Sequence, residues 1–215
     1  MPCARTASAC RWTRRFLMRP WLRSSAPTMP PEQATGARVA DGPKLFLRQA
    51  TFDDTAFVRT LVTQPSWSRY IAPSGVASEQ DARQYIQTRL LDRYEAQGFG
   101  LWLVSRQQDG QLIGMAGLVC RETLPGPDLG FALMDAFVGQ GFAFEAASLV
   151  MQVARAQYAL AELYAVVKPD NQRSIRLLQR LGFVYRHAQM GPDALRWQIH
   201  HRSLAQGTQA GLAPS

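Results

Sequence analysis

Apolar positions recur along this chain with two periods, and the switch between them outlines its architecture. Leu45–Arg48 is a short apolar run that reads as a first strand, and order is expected from about Lys44. Asp53 and Asp54 then place acids at the start of a short helix reaching about Val62, where the helix dipole favours negative charge. Residues 64–75 hold two prolines, a glycine, Trp67 and Tyr70, and read as an aromatic-bearing loop. Ser78-Glu79-Gln80-Asp81 resembles a capping box with aspartate in the reciprocal place. The helix it opens sets Ala82, Tyr85, Ile86, Leu90 and Tyr94 on one face and ends at Gly98.

Strand-length runs follow at 101–106, 112–120 and 128–134, divided by a hairpin turn at Asp109-Gly110 and a break at Pro125-Gly126-Pro127. The period then becomes 3.6. Ala146, Leu149, Val150, Val153, Ala154 and Tyr158 make the core face of a helix over about 142–159. A strand at 163–167 and a helix at 171–181 come next, the helix carrying Ile175, Leu178 and Leu181 inward. Gly182 suits a left-handed position after the helix, with Phe183 packing behind it. Short strands at 183–187 and 195–200 complete an α+β order: one domain with a central mixed, mostly antiparallel twisted sheet flanked by helices. The expected limits are an Arg-rich disordered leader at 1–42, the domain at 43–203 and a flexible tail at 204–215. An over-extended start, with Met18 or Met29 as the true beginning, is the simplest account of the leader.

Charge changes this picture little once it is located. The formal net charge is +8, but residues 1–40 hold seven arginines against Glu32 alone. The remainder is nearly neutral, so no basic face for nucleic acid is required. Three cysteines lack metal-ligand spacing, and Cys120 at a strand end is expected to be a small buried hydrophobe; no metal site is expected. There is no run of about 18 apolar residues, so no membrane span is expected. Thr13-Arg14-Arg15-Phe16-Leu17 hints at a twin-arginine signal, but no apolar region follows it and export is rejected.

The chemistry lies between residues 138 and 182. Val138-Gly139-Gln140-Gly141-Phe142-Ala143 is a glycine-paired turn opening a long helix. Such a turn leaves first-turn N–H groups unpaired and sterically open, and the helix dipole adds to their pull on an anion. Asn171-Gln172-Arg173-Ser174 opens the next helix, as a second wall of the same cleft would. Together they point to a phosphate-bearing ligand. A dinucleotide-binding doubly wound fold is disfavoured, because the glycine turn follows several antiparallel strands rather than the first strand.

These two segments, following a strand with Gly130-Phe131-Ala132-Leu133, resemble the GNAT N-acetyltransferase superfamily, in particular its ribosomal-protein N-acetyltransferase branch. The resemblance spans about residues 45–197. In the family the turn reads glutamine or arginine, two residues, glycine, one residue, then glycine or alanine; here these places are Val138, Gly141 and Ala143, and Val138 departs from the pattern. The resemblance implies acetyl-CoA as co-substrate, its pyrophosphate on the amides of Val138, Gly139, Gln140, Gly141, Phe142 and Ala143. It also implies that the strands at 128–134 and 163–167 splay apart, so that the pantetheine arm pairs with main chain near Phe131, Leu133 and Met134. The Leu133 amide becomes a candidate to polarise the thioester carbonyl. Asn171 either caps its helix or bonds the arm, or does both; Ser174 can reach the sulfur, and Arg180, with Arg173 and Arg176 near it, the 3′-phosphate.

Catalysis in the family is direct attack by an amine in a ternary complex, which needs a base and an acid. Relatives commonly carry glutamate where this chain has Asp128; Glu122 is the other candidate base. Many relatives have a tyrosine where this chain has Leu178, leaving Ser174, water or Tyr185 to protonate the thiolate. His187 reads as a strand-end surface residue. Trp67, Tyr70, Tyr85 and Arg121 are expected to contact the acceptor, a small-molecule amine or a peptide N-terminus, since no acid cluster suggests a polyamine or aminoglycoside. The expectation is a cytoplasmic monomer or homodimer without nucleic-acid or membrane partners. The alternative is a non-catalytic acyl-CoA-binding regulatory module.

Overall fold

The computed structural model describes residues 36–205. Eight strands form one open sheet: β1 (Arg38–Asp41), β2 (Leu45–Arg48), β3 (Leu101–Arg106), β4 (Leu112–Val119), β5 (Asp128–Leu133), β6 (Glu162–Val167), β7 (Val184–Met190) and β8 (Arg196–Ser203). Their spatial order is β1-β2-β3-β4-β5-β6-β8-β7, antiparallel throughout except for the parallel pair β5–β6. The helices are α1 (Thr55–Val62), α2 (Pro65–Tyr70), α3 (Glu79–Ile86), α4 (Asp92–Gln97), α5 (Phe142–Ala156) and α6 (Gln172–Arg180). Among the described residues no helix is long and apolar enough to cross a membrane.

Alternation along the strands feeds two helical layers. Trp102 and Val104 of β3 join the core under α5, where Ala146, Leu149, Val150 and Val153 meet Leu45, Leu47 and Ile113. The intervening Leu103 points the other way, into a second core with Val58 and Leu61 of α1, Trp67 of α2 and Ala82, Ile86 and Leu90 of the α3 side. The sheet is thus buried on both faces.

Several local expectations change. The leader was expected to run to residue 42, yet β1 lies inside it and pairs with β2, Ala40 opposite Leu47 and Asp41 opposite Phe46. An edge strand of four residues with polar ends carries too little alternation to be read, and here non-local contacts hold it. The Arg38 guanidinium stacks on the Phe46 ring at 3.9 Å and pairs with Asp41. Glu145 of α5 accepts the N–H groups of Lys44 and Leu45 at 2.7 and 3.0 Å, fixing the β1–β2 hairpin to the helix. The loop expected at 64–75 contains α2, because Pro65 sits at the first helical position, where its missing N–H costs nothing. At the other end, Leu204, expected in the tail, is buried and donates its N–H to Ala161 O at 2.7 Å. The rest of the leader and tail, residues 1–35 and 206–215, lie outside the described residues.

The capping box at Ser78 forms as expected, Asp81 N donating to Ser78 Oγ at 3.1 Å and Ser78 N to Asp81 Oδ2 at 2.8 Å. Its helix is not uniform: a π-helical turn, Gln87–Leu91, separates α3 from α4. Gly98 then ends it in the left-handed conformation. The helix expected over 142–159 stops at Ala156, and Tyr158 packs separately, edge-on to Phe99 at 5.2 Å.

Beneath the β2–α1 connection lies a buried bidentate ion pair. Arg48 donates to both Asp54 oxygens at 2.6 and 2.9 Å, and the Thr51 N–H donates to Asp54 Oδ2 at 2.8 Å. Burial pushes the Asp54 carboxyl up, but the Arg48 and Thr51 hydrogen bonds outweigh it and hold its pKa below the usual value. Its contribution to stability is therefore present at neutral pH and lost as pH falls through the carboxylate range. Arg48→Met, which strands the carboxylate, is expected to lower unfolding stability by about 3–5 kcal/mol in urea titrations at pH 7. The deficit should shrink on acidification; a loss below about 1 kcal/mol would mean that the pair is not structural.

Candidate functional site

The site begins where the sheet fails to close. β5 and β6 share one registered pair, Asp128 opposite Tyr164, secured by the Tyr164 N–H donating to Pro127 O at 3.1 Å. β4 pairs with β5 along its whole length, and β8 with β6. Each strand is therefore fixed on its outer side while the inner edges diverge, so the expected splay is present. The Met134 N–H donates to Ile113 O of β4 at 2.8 Å. Antiparallel alternation then turns Ala132 and Gly130 toward β4, and leaves the main chain of Leu133 and Phe131 facing the parted edge. Met134, expected beside them, has its amide committed to the sheet and lines neither chamber of the cleft described next.

The cleft has two chambers. One, of about 420 Å³, lies over the joined end of β5 and β6 and is walled by Trp67, Tyr70, Tyr85, Arg121 and Asp128. All four residues expected to meet the acceptor are brought together there. The other, of about 700 Å³, lies over the parted ends and is walled by Leu133, Val138, Gly139, Gly141, Ala143 and Arg180. Phe131, Asn171 and Ser174 line both.

The glycine turn folds for a local reason. Gly139 and Gly141 have φ of 87° and 85°, and a Cβ at either would meet no atom within 4 Å. Backbone conformation, not crowding, therefore demands glycine, since other residues in that region are strained by roughly 1–2 kcal/mol. Gly141 is the N-cap of α5. The amides of Gly139, Gln140, Gly141, Phe142 and Ala143 find no acceptor among the described residues. Five successive donors around a helix start make an anion-binding concavity. Val138, expected as a sixth, donates its N–H to Asp135 O at 3.3 Å within a 3₁₀ turn, Asp135–Phe137. The side chains of Gln140 and Phe142 line neither chamber: Gln140 Nε2 donates to Ala136 O, and Phe142 packs edge-on to Phe137.

α6 supplies the facing wall. Asn171 is its N-cap, Oδ1 accepting the Ser174 N–H at 3.2 Å. That leaves the Asn171 Nδ2 donors for the cleft. Gly182, at φ 79°, closes the helix with a Schellman pair, Phe183 N to Leu178 O and Gly182 N to Gln179 O, both 2.9 Å. Arg173, Arg176 and Arg180 all border the second chamber, and Arg180 stacks on Phe144 at 4.8 Å.

The two candidate bases part company. Asp128 is 1% exposed, lines the first chamber and accepts from Arg121 Nε at 3.1 and 3.2 Å. Burial pushes its carboxyl up to about 6, with the Arg121 charge and hydrogen bonds pulling down without overcoming it. Glu122 is exposed in the turn after β4 and lines neither chamber. Tyr185 and His187 are exposed on β7, and Tyr185 lies outside both chambers. Leu178, where relatives carry tyrosine, is buried and borders the first chamber without a hydroxyl. Cys120 is half-buried and lines that chamber, rather than being a fully buried core residue. Sequence reasoning missed Arg89 and Arg93, which border the same chamber. Their spacing of four and eight from Tyr85 was the available signal.

Comparison with known proteins agrees with this architecture. Residues 44–184 match the family model described as the acetyltransferase (GNAT) domain. An uncharacterized N-acetyltransferase of Bacillus subtilis, YoaA, is 28% identical over 141 residues, covering 65% of this chain and 79% of that protein. The structure of RimL, the ribosomal L7/L12 alpha-N-protein acetyltransferase, in complex with coenzyme A superposes with TM-score 0.68 at 18% identity, over 78% of this chain and 98% of that one. An acetyltransferase from Agrobacterium tumefaciens gives TM-score 0.64 at 20% identity, over 82% and 98%. With well over half of its length matched by the family model, and with the parted strands and glycine turn in place, this chain belongs to the GNAT acetyltransferase family.

Proposed function

We propose that the protein is an acetyl-CoA-dependent N-acetyltransferase that moves an acetyl group to a primary amine by direct attack in a ternary complex. The observation that carries this reading is the cleft itself: a diphosphate-sized set of free amides at one end and a buried carboxylate at the other, joined by an unpaired strand edge. The amides of residues 139–143 hold the pyrophosphate, each charge-assisted bond contributing about 1.5–3 kcal/mol. Arg180, with Arg173 and Arg176, meets the 3′-phosphate. The main chain of Phe131 and Leu133 pairs with the pantetheine arm, Asn171 Nδ2 bonds it from the facing wall, and the Leu133 amide polarises the thioester carbonyl.

The amine enters the first chamber. Asp128, directly or through one water, takes a proton from the ammonium, and the freed amine attacks the thioester carbon. Collapse of the tetrahedral adduct breaks the carbon–sulfur bond, and Ser174 relays the second proton of the attacking nitrogen to the departing thiolate, giving an amide and free coenzyme A. A carboxyl with pKa near 6 suits the base role, being ionised at neutral pH yet far more basic than an exposed aspartate. Glu122 has no part in this scheme. The missing hydroxyl at Leu178 favours a second reading, a non-catalytic acyl-CoA-binding regulatory module. Coenzyme A stabilises the protein under both readings, but only the first yields free thiol from acetyl-CoA.

Two measurements test the reading. Calorimetry should register coenzyme A binding, with Gly141→Ala and Arg180→Glu each weakening it by roughly tenfold or more, about 1.4 kcal/mol; no heat of association with the unaltered protein would end the proposal. In thiol-release assays Asp128→Asn should lose about 10²-fold or more of kcat. The wild-type rate should fall as pH drops below about 6, where the base becomes protonated. Stability moves oppositely. The folded pKa lies above that of an unfolded aspartate, so stability declines as pH rises from about 4 to about 6, and Asp128→Asn should remove that decline.

A further inference from the structure

The charge lining the first chamber is one-sided. Its charged wall consists of Arg89, Arg93, Arg121 and Asp128, and the only carboxylate among them is buried beneath Arg121. Arg121 approaches Asp128 through Nε, and its side chain remains 42% exposed, leaving its outer N–H groups available to the chamber. Arg89 and Arg93 stand one turn apart across the junction of the π-helical turn and α4, and neither has an ion-pair or hydrogen-bond partner among the described residues. The nearby Asp92 is engaged by Gln87 Nε2 at 2.6 Å. Like charges four residues apart on a helix repel and destabilise it by a few tenths of a kcal/mol. An anion seated between these guanidinium groups reverses the sign of that interaction and meets planar donors suited to a carboxylate or phosphate.

The remaining walls set the size and character of the occupant. Trp67 and Tyr85 meet edge to face at 6.4 Å between ring centres, with Tyr70 beside them, so the middle of the chamber is aromatic. A volume of about 420 Å³ falls in the range of small-molecule sites. From these features we infer that the acceptor is a small amine that also carries an anionic group, a carboxylate or a phosphate. Its amine faces Asp128, and its anion is held by Arg89 and Arg93 with Arg121 at the boundary. This rests on the acetyltransferase reading above and specifies the substrate class of the same site. It excludes polycations such as polyamines and aminoglycosides, which would bring ammonium groups against three arginines.

The test is thiol release from acetyl-CoA with matched amine pairs that differ only in the anion. One pair sets an α-amino acid against its carboxamide; another sets an aminoalkyl phosphate against the corresponding amino alcohol. The anionic member should have kcat/KM at least about tenfold higher, equivalent to about 1.4 kcal/mol. Whichever pair shows the larger ratio identifies carboxylate or phosphate as the source. The double variant Arg89→Gln/Arg93→Gln should raise KM for the anionic member and shrink its advantage, while the Kd for coenzyme A by calorimetry stays unchanged. Neutral or polycationic amines reacting as well as the anionic members would overturn the inference and leave the acetyltransferase reading standing. Coenzyme A binding without thiol release from any pair would overturn the inference, and the acetyltransferase reading falls with it only if peptide N-termini also yield no thiol.

Discussion

The single junction between β5 and β6 is the constraint on which the rest of this structure depends. A parallel pair that continued past Asp128 and Tyr164 would satisfy both inner edges and leave no cleft. Instead each strand is committed outward, β5 to β4 and β6 to β8, so the sheet behaves as two stiff half-sheets hinged at one end. Opening an edge in this way exposes main-chain donors and acceptors that must find partners. A linear ligand carrying its own amides can fill that role, which neither water nor a side chain does with the same register. Asp128 sits at the hinge, and its burial follows from the two strands pairing in register there. The junction thus determines where the cleft ends and why the carboxylate at that end is basic.

Charge is distributed along the cleft in two separate sets. Arg173, Arg176 and Arg180 of α6 border the glycine-turn chamber, whereas Arg89, Arg93 and Arg121 border the aromatic one. Asn171 and Ser174 lie between them, at the first turn of α6, where the helix start itself favours electron-rich atoms. Any anion held there would lie in a region of positive potential. The same potential from both sets would depress the proton affinity of any ammonium held between them.

How much of this was legible in the chain depended on how local each cause was. The glycine turn, the Ser78 capping box, the Asn171 cap and the Gly182 termination involve residues within a few positions of one another, and each could be read directly. β1 and α2 could not. The strand has no alternation of its own and is held by pairing with β2 and by Gln157, more than a hundred residues away, whose Nε2 donates to Val39 O; the proline that suggested a loop in fact starts a helix. Within the site, the withdrawal of the Val138 and Met134 amides arises from a 3₁₀ turn and a strand ladder that side-chain patterns do not report. The distinction between Asp128 and Glu122 has the same origin. Both are acids beside the same Pro-Gly-Pro segment, and only the β5–β6 junction buries one of them. Arg89 and Arg93 share a four-residue spacing, but Arg121 reaches the same chamber from a distant part of the chain and no spacing rule joins it to them.

Glu145 couples the far edge of the sheet to the anion-binding end of α5. It stands in the first turn of that helix, four residues after Gly141, where an unengaged carboxylate would compete with an incoming diphosphate. The β1–β2 hairpin prevents this by occupying Oε1 with two N–H groups. The N–H groups of Lys44 and Leu45, which line neither chamber, therefore keep this carboxylate engaged beside the glycine turn. A chain shortened past those two residues would turn one of its own acids into a rival of any anion that the glycine turn receives.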